Sequence, residues 1–353
     1  MLAFLGRESQ GRCQVSKSLL SLKPRHFWGI IPGGHGLSAP LAKPALALRR
    51  MGAPDGLVRL ALSPAVASRA AGKSLRDWRH ARESDVLGRA GSLEVRLARD
   101  AKELRQAQRL RFRVFYEEMS ALANPMTALL RRDIDRFDRL CDHLLVVDRA
   151  ARSAFGRPGG GKVVGTYRLL RQPVAEGAFG FYTESEFDIA PIIGAHRDQR
   201  FLELGRSCVL ADYRDKRTLE LLWRGIYAYV RRHNIDVLMG CASLAGTDPA
   251  ALAQQLSFLH HYAPCPPGWE VRAKAGRYVP MGTLPKSQID ARAALRSLPP
   301  LIKGYLRLGA SFGDGAVIDH QFGTTDVFVL FRMSDASQRY LTHLAPLDER
   351  QAA

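Results

Sequence analysis

Cysteine is scarce, with five residues in 353: Cys13, Cys141, Cys208, Cys241 and Cys265. The number is odd and no C-x-x-C spacing occurs, which argues against a disulfide framework or a thiolate zinc site and fits reduced, cytosolic thiols. Long apolar runs are also missing. No stretch reaches the 18 or more residues of a membrane-spanning helix, so any membrane contact is expected to be peripheral. Acid is in short supply, 34 Asp/Glu against 52 Lys/Arg, for a formal charge of +18. Such a balance attracts acidic partners: an acidic protein, an anionic bilayer or nucleic acid. Nucleic acid is disfavoured, because no helix-turn-helix or finger pattern and no basic–aromatic interleaving is present. Residues 1–90 lack any sustained hydrophobic period and hold 15 Lys/Arg against 5 Asp/Glu. They read as a basic, disordered or loosely attached extension. Its acid-poor start resembles an organellar targeting segment, and Met51 offers an alternative start to Met1.

What is present is a hydrophobic fraction of 46%, enough for a sizeable core. One domain is expected over 91–345, with 346–353 a disordered tail. Leu93–Leu97 alternates like a strand. Asp100 should cap a helix running to about Ser120, on which Arg111 and Phe115, four apart, share one side. A loop with Asp133, Asp135 and Asp138 follows. His143–Asp148 and Lys162–Leu170 read as a long hairpin closed by Gly159–Gly161. Phe201–Leu210 is nearly continuous in apolar residues, as in a strand buried on both faces. A helix from Lys216 to Arg232 should present Leu219, Leu222, Trp223, Ile226 and Val230. Asp236–Ala242 is a further strand. Asp248-Pro249 should open a helix to His261. Pro299–Leu308 is a short helix and Val327–Phe331 a late strand. Strands alternating with helices and hairpins give an α/β fold with a mixed sheet.

Two motif-like runs fail on context. Gly156–Lys162 (GRPGGGK) approaches a P-loop, but Val163 stands where Ser/Thr is required and a strand follows instead of a helix. His143 and Asp148 have an acyltransferase-like spacing, but across a strand their side chains point to opposite faces. His260-His261, and Cys141 beside His143, lack metal-ligand or triad company. The informative stretch is FLELGRSCVL, residues 201–210. Glu203 and Arg206 lie inside it, and charges in a buried strand are costly unless paired or used. From this stretch alone a structural ion pair and a functional pair are equally good accounts.

Four pieces occur in order: Arg111-x-x-x-Phe115, Asp135-x-x-Asp138, Arg168 at a strand end, and Glu203-x-x-Arg206. In that order they resemble the acyl-homoserine-lactone synthases. The chain is still more similar to the ornithine–acyl-[acyl carrier protein] N-acyltransferases of the same GNAT-like superfamily. That second resemblance spans roughly Leu93 to Phe331, through RFRVFYEEM (111–119), RFDRLCDHLLVVD (136–148), LELGRSCVL (202–210) and GDGAVIDHQFGTTDVFVLF (313–331).

The resemblance implies a GNAT-like fold, a mixed and mostly antiparallel sheet flanked by helices. It implies transfer of a 3-hydroxyacyl chain from acyl carrier protein to the α-amine of ornithine, giving lyso-ornithine lipid. Synthesis of an N-acyl-homoserine lactone or another N-acyl amino acid is the alternative. Amide formation needs a neutral amine, so a base must take a proton; Glu203 is the expected base, oriented by Arg206. Arg111, Phe115, Asp135, Asp138 and Arg168 would shape the amino-acid pocket, with Asp135 or Asp138 on the distal ammonium and Arg111 or Arg168 on the carboxylate. In the superfamily the acyl donor lies at the start of the helix after the central strand, usually beside a Gly-rich turn. Here Tyr213–Thr218 has no glycine, which suits a phosphopantetheine arm better than coenzyme A. Arg214, Lys216 and Arg217 would meet the arm's phosphate or the carrier's acidic surface. No metal and no resident cofactor are expected, since the 4'-phosphopantetheine arrives on the carrier. The expected location is cytoplasmic, with peripheral contact at an anionic inner membrane.

Overall fold

The computed structural model describes residues 86–151, 161–336 and Leu344. The 1–85 part of the extension, most of the GRPGGGK run and the 346–353 tail lie outside the described residues. Among the described residues there are ten strands: β1 (Val86–Ala90), β2 (Leu93–Leu97), β3 (Asp142–Asp148), β4 (Lys162–Arg171), β5 (Phe187–Asp188), β6 (Phe201–Val209), β7 (Val237–Ala245), β8 (Arg272–Ala273), β9 (Ser311–Asp319) and β10 (Thr324–Arg332). They lie in the order β1-β2-β3-β4-β6-β7-β10-β9-β8-β5. Neighbours are antiparallel except β6 with β7 and β8 with β9, so the sheet is mixed and mostly antiparallel, as expected. The helices are α1 (Ala101–Phe112), α2 (Pro125–Leu130), α3 (Gln172–Glu176), α4 (Ala190–Ala195), α5 (Lys216–His233), α6 (Ala253–Tyr262), α7 (Ala291–Ser297) and α8 (Pro300–Leu308).

Alternation along β3 divides the core. Leu145 and Val147 pack with Ala107 of α1, while Leu144 and Val146 belong to the cluster with Leu221, Leu222 and Ile226 of α5. The two helices therefore cover opposite faces. Asp215 caps α5 by accepting from the Thr218 amide at 2.7 Å, and Asn234 ends it in the left-handed conformation. Its buried stripe runs through Thr218, Leu221, Leu222, Gly225, Ile226 and Tyr229. Leu219, expected inside, is 38% exposed, and Leu221 takes that place.

Three other expectations shift. Residues 86–90, assigned to the extension, form edge strand β1 against β2. The helix expected from Asp248 starts at Ala253, because the Asp248 carboxylate accepts from the Ala250 amide and Pro249 O from Leu252 N, closing a turn first. The helix from Asp100 ends α-geometry at Phe112 and continues as a π-helical turn over Arg113–Glu118. Strand β9 carried too little alternation, in SFGDGAVID, to be read from sequence.

What positions the site is the parting of β6 and β7. They pair in parallel only at Phe201–Val237, Leu202–Leu238 and Glu203–Met239. Against β4, Arg168 lies opposite Gly205 and Thr166 opposite Cys208, so one residue of β4 faces two of β6. This is a bulge, and Arg206 within it has φ +51°. Past the Glu203–Met239 pair, ahead of the bulge, β6 and β7 diverge. A cleft of about 310 Å³ opens there, lined by Leu204, Met239, Gly240, Cys241, Trp223 of α5 and Tyr305 of α8, among others. At Gly240 a Cβ would run into the Leu204 carbonyl oxygen. Gly240→Ala is therefore expected to cost ~2 kcal/mol or more by pushing the strands apart. An unchanged denaturation midpoint would show that the strands do not close at that point.

Candidate active site

On the α1 face, three arginines meet three aspartates. Arg111 of α1 is fully buried. Its Nε lies 2.8 Å from Asp133 Oδ2, and its Nη2 donates to both Asp138 oxygens at 2.8 Å and to Asp133 O at 2.6 Å. Arg168 of β4 reaches Asp135 at 2.5 Å and Asp138 at 3.5 Å. Arg206, turned by the bulge, lies 3.4 Å from Asp133 and 3.5 Å from Asp135. The loop carrying the acids is held by a capping box, in which Asp135 accepts from the Phe137 and Asp138 amides. Gln108 adds a bond to Asp138 at 2.9 Å.

Charges balance three against three. Burial would raise the Asp135 carboxyl, but Arg168 and Arg206 outweigh it and bring it down to about 2. Asp138 is lowered in the same way, burial being overcome chiefly by Arg111. His143, beside them, is wholly buried and drops to about 4, so it stays neutral, its Nε2 sharing a bond with Asp138 O. Arg111, Asp135, Asp138 and Arg168 thus come together as expected, and Arg206, expected beside Glu203, joins them instead. Phe115 sits apart, edge-on to Phe322 at 5.7 Å. Asp133, noted in the loop but not singled out, completes the set.

Glu203 does not pair with Arg206. Residues three apart in a regular strand point to opposite faces; the bulge brings Arg206 to the face of Glu203, where it turns to Asp133 and Asp135. The Glu203 carboxylate accepts from Tyr182 N at 3.0 Å, Thr183 N at 2.6 Å and Thr183 Oγ1 at 2.6 Å. Burial raises its pKa, and the Thr183 bonds oppose that rise. It is 5% exposed and pins the 183–185 turn that leads to Glu186. Thr183 Oγ1 in turn accepts a long bond from Cys241 Sγ at 3.8 Å, and Cys241 lines the cleft.

Glu186 begins a second acidic group. It lies with Asp319 of β9 and Asp326 of β10, all three buried, with one oxygen from each within 4.8 Å of the others. None was singled out from sequence, although Asp319 and Asp326 stand in the 313–331 run. An isolated acid next to Val-Ile or Val-Phe was the available signal. Burial, then Asp326, pushes Glu186 up to about 7. Asp326 is raised as well, by burial first.

At the start of α5, Arg214 donates to Val209 O at 2.9 Å and pairs with Glu118, and Arg217 donates to Ala90 O. Lys216 is 89% exposed, beside Glu220 at 3.5 Å. All three expected carrier contacts are exposed, Lys216 most freely, while Arg214 and Arg217 are also engaged by the chain itself.

An acetyltransferase (GNAT) domain model matches residues 110–224. An L-ornithine N(alpha)-acyltransferase of Brucella abortus (strain 2308) is 53% identical over 258 residues, 73% of this chain and 90% of that protein. One of Rhizobium meliloti (strain 1021) is 50% identical over 260 residues, 74% and 86% of the two chains. Among solved structures, FeeM, an N-acyl amino acid synthase from uncultured soil microbes, covers 73% of this chain and 97% of its own, at 12% identity and TM-score 0.39.

The Glu186 pKa has a sign that can be measured. A carboxyl raised from its ordinary 4.5 to about 7 costs the fold stability above pH 7 and nothing below pH 4.5, where folded and unfolded chains are both protonated. Glu186→Gln should stabilise the protein at pH 8 by roughly 2–3 kcal/mol, an advantage that fades toward pH 4.5. Melting curves across that range check it; a variant less stable at pH 8 would contradict the strain.

Proposed function

The chain belongs to the L-ornithine N(alpha)-acyltransferase family, and we propose that it takes a 3-hydroxyacyl chain from acyl carrier protein to the α-amine of ornithine, giving lyso-ornithine lipid. It is an N-acyltransferase of the GNAT class. The observation that carries the ornithine reaction is the 53% identity over 90% of a relative of that name, which selects it over a lactone synthase.

The chemistry follows from the two faces of the sheet. The thioester would lie in the cleft on the α5 face, where Leu204, Trp223, Tyr305 and Phe331 offer apolar walls for an acyl chain. The amine would approach from the α1 face, across the gap between β6 and β7. Its nitrogen attacks the thioester carbonyl, the C–S bond breaks, and the thiol leaves on the pantetheine arm. Backbone N–H groups freed where β6 bulges away are suited to the oxyanion. Glu203 is proposed to take the amine's proton through the Thr183 hydroxyl, since both carboxylate oxygens already hold that turn. No metal or resident cofactor enters this scheme, because the thioester brings its own leaving group. Lys216 supplies exposed positive charge for the carrier's acidic face.

Peripheral contact with an anionic membrane is proposed through residues 119–134. Met119, Leu122, Met126 and Leu129 are 49–78% exposed there, beside the exposed Arg131. Clustered apolar side chains next to a cation suit a lipid surface. Among the described residues no helix is long and apolar enough to cross a membrane.

Purified protein with 3-hydroxyacyl carrier protein and a panel of amino acids should yield N-acyl ornithine by mass spectrometry, and the coenzyme A thioester should be a poorer donor. A coenzyme A preference would remove the carrier. In this assay Glu203→Gln should lower kcat about 100-fold or more with the fold intact. Near-normal turnover would remove Glu203 as the base. Leu122→Ser with Leu129→Ser should weaken sedimentation with anionic vesicles without changing the melting temperature; undiminished binding would place the contact elsewhere.

A further inference from the structure

The two acidic groups differ in their cations. Asp133, Asp135 and Asp138 are matched by Arg111, Arg168 and Arg206. Around Glu186, Asp319 and Asp326 the ion pair among the described residues is with Arg277, whose Nη1 is 3.5 Å from Glu186 Oε1 and whose side chain is 38% exposed, while Arg206 acts on Asp326 from outside the group. All three carboxylates are at least nine-tenths buried, at 2%, 9% and 5% exposure. Asp319 accepts from the Gln321 and Phe322 amides, and Asp326 from the Thr324 hydroxyl. Glu186 Oε2 is buried and meets no amide, hydroxyl or cation at hydrogen-bond distance, the Cys241 thiol being the weak donor beside the carboxyl. A buried carboxylate oxygen without a strong donor is expensive. It marks the place where a cation belongs.

Strand register places this group beside the proposed reaction. Asp326 of β10 lies opposite Ser243 of β7, and Phe328 opposite Cys241. Ser243 and Cys241 share a face, and Cys241 lines the cleft. The acids are therefore one side-chain step along β7 from the point where β6 and β7 part. Two residues of strand span about 6.6 Å. The two nitrogens of an extended ornithine, five bonds apart, are separated by about 6 Å. An ammonium donating three tetrahedral hydrogen bonds of about 2.8 Å needs acceptors about 4.6 Å apart. Oxygens within 4.8 Å of one another meet that need.

We infer that Glu186, Asp319 and Asp326 bind the side-chain ammonium of the amino-acid acceptor and so select a diamino acid, an assignment that rests on the ornithine reaction proposed above. The distal ammonium is thereby placed on this group, where the sequence had placed it on Asp135 or Asp138, whose charges Arg168, Arg206 and Arg111 already take up. The raised Glu186 pKa is what an unfilled ammonium site should show, since the bound cation would bring it down. Glu203 gains a second duty, holding the turn that presents Glu186.

The test compares L-ornithine with L-norvaline, the same skeleton without the side-chain amine, using a 3-hydroxyacyl carrier protein as donor. Wild type should favour ornithine in kcat/KM by about 100-fold or more. Glu186→Gln and Asp326→Asn, each checked by melting curve, should shrink that ratio at least tenfold, mainly through a higher ornithine KM. Ornithine should also raise the melting temperature of the wild type more than that of either variant. Variants that lose both acceptors in proportion, leaving the ratio unchanged, overturn the assignment while the acyl transfer stands. So does Mg²⁺ or Ca²⁺ binding by calorimetry that disappears in Glu186→Gln, which would make the group a metal site. A wild type that leaves ornithine unacylated brings down the reaction itself, and this assignment with it.

Discussion

Three guanidinium groups can stay charged beneath this sheet only because three carboxylates meet them there. Arg111, Arg168 and Arg206 come from α1, β4 and β6, and Asp133, Asp135 and Asp138 from one loop. Removing any one partner would leave an uncompensated charge out of water, at a cost of about 3–5 kcal/mol. The network therefore ties a helix, two strands and a loop into one arrangement. It also fixes the side chain of Arg206, and with it the bulge next to the place where β6 leaves β7. The gap through which amine and thioester would meet is a consequence of that ionic lock.

The same lock explains why its members make poor substrate ligands. A carboxylate already held by two guanidinia has little attraction left for an incoming ammonium. The second acidic group, with one exposed arginine at its edge, keeps that attraction. Phe322 links the two, lying under Arg206 at 4.7 Å and edge-on to Phe115, while Asp319 holds its backbone amide. The β9–β10 hairpin tip thus connects the ionic lock to the proposed ammonium site, and the Glu203-pinned turn closes the other side.

The division of the sheet into two working faces has a simple origin. The side-chain period of two sends Glu203 and Phe201 to the α1 face, and Leu202 and Leu204 to the α5 face. Polar chemistry collects on one side and an apolar cleft on the other. Contact between them is confined to the place where pairing stops.

Much of this was legible in the sequence. Apolar periodicity located β2, β3, β4, β6, β7 and α5, and charges set inside an apolar run pointed to Glu203 and Arg206, while Arg168 was marked by the family resemblance. Asp135 and Asp138 stood out as acids in a basic region and through the resemblance; their capping box appears only in the structure. What could not be read was which acid meets which arginine. Glu203 and Arg206, three apart, would point to opposite faces of a regular strand; one extra residue in β6 brings both to the α1 face, yet Arg206 goes to the aspartates and Glu203 to the Tyr182–Thr183 turn. Nor could Glu186, Asp319 and Asp326 be grouped, since they lie up to 140 positions apart and each alone is an ordinary acid. Composition and periodicity act over a few residues, and they determined the elements, while the class of chemistry came from the runs shared with a known family. Burial, register and charge balance belong to pairs of strands brought together by folding, and only they decided which acids are matched one for one by arginines and which share a single exposed arginine.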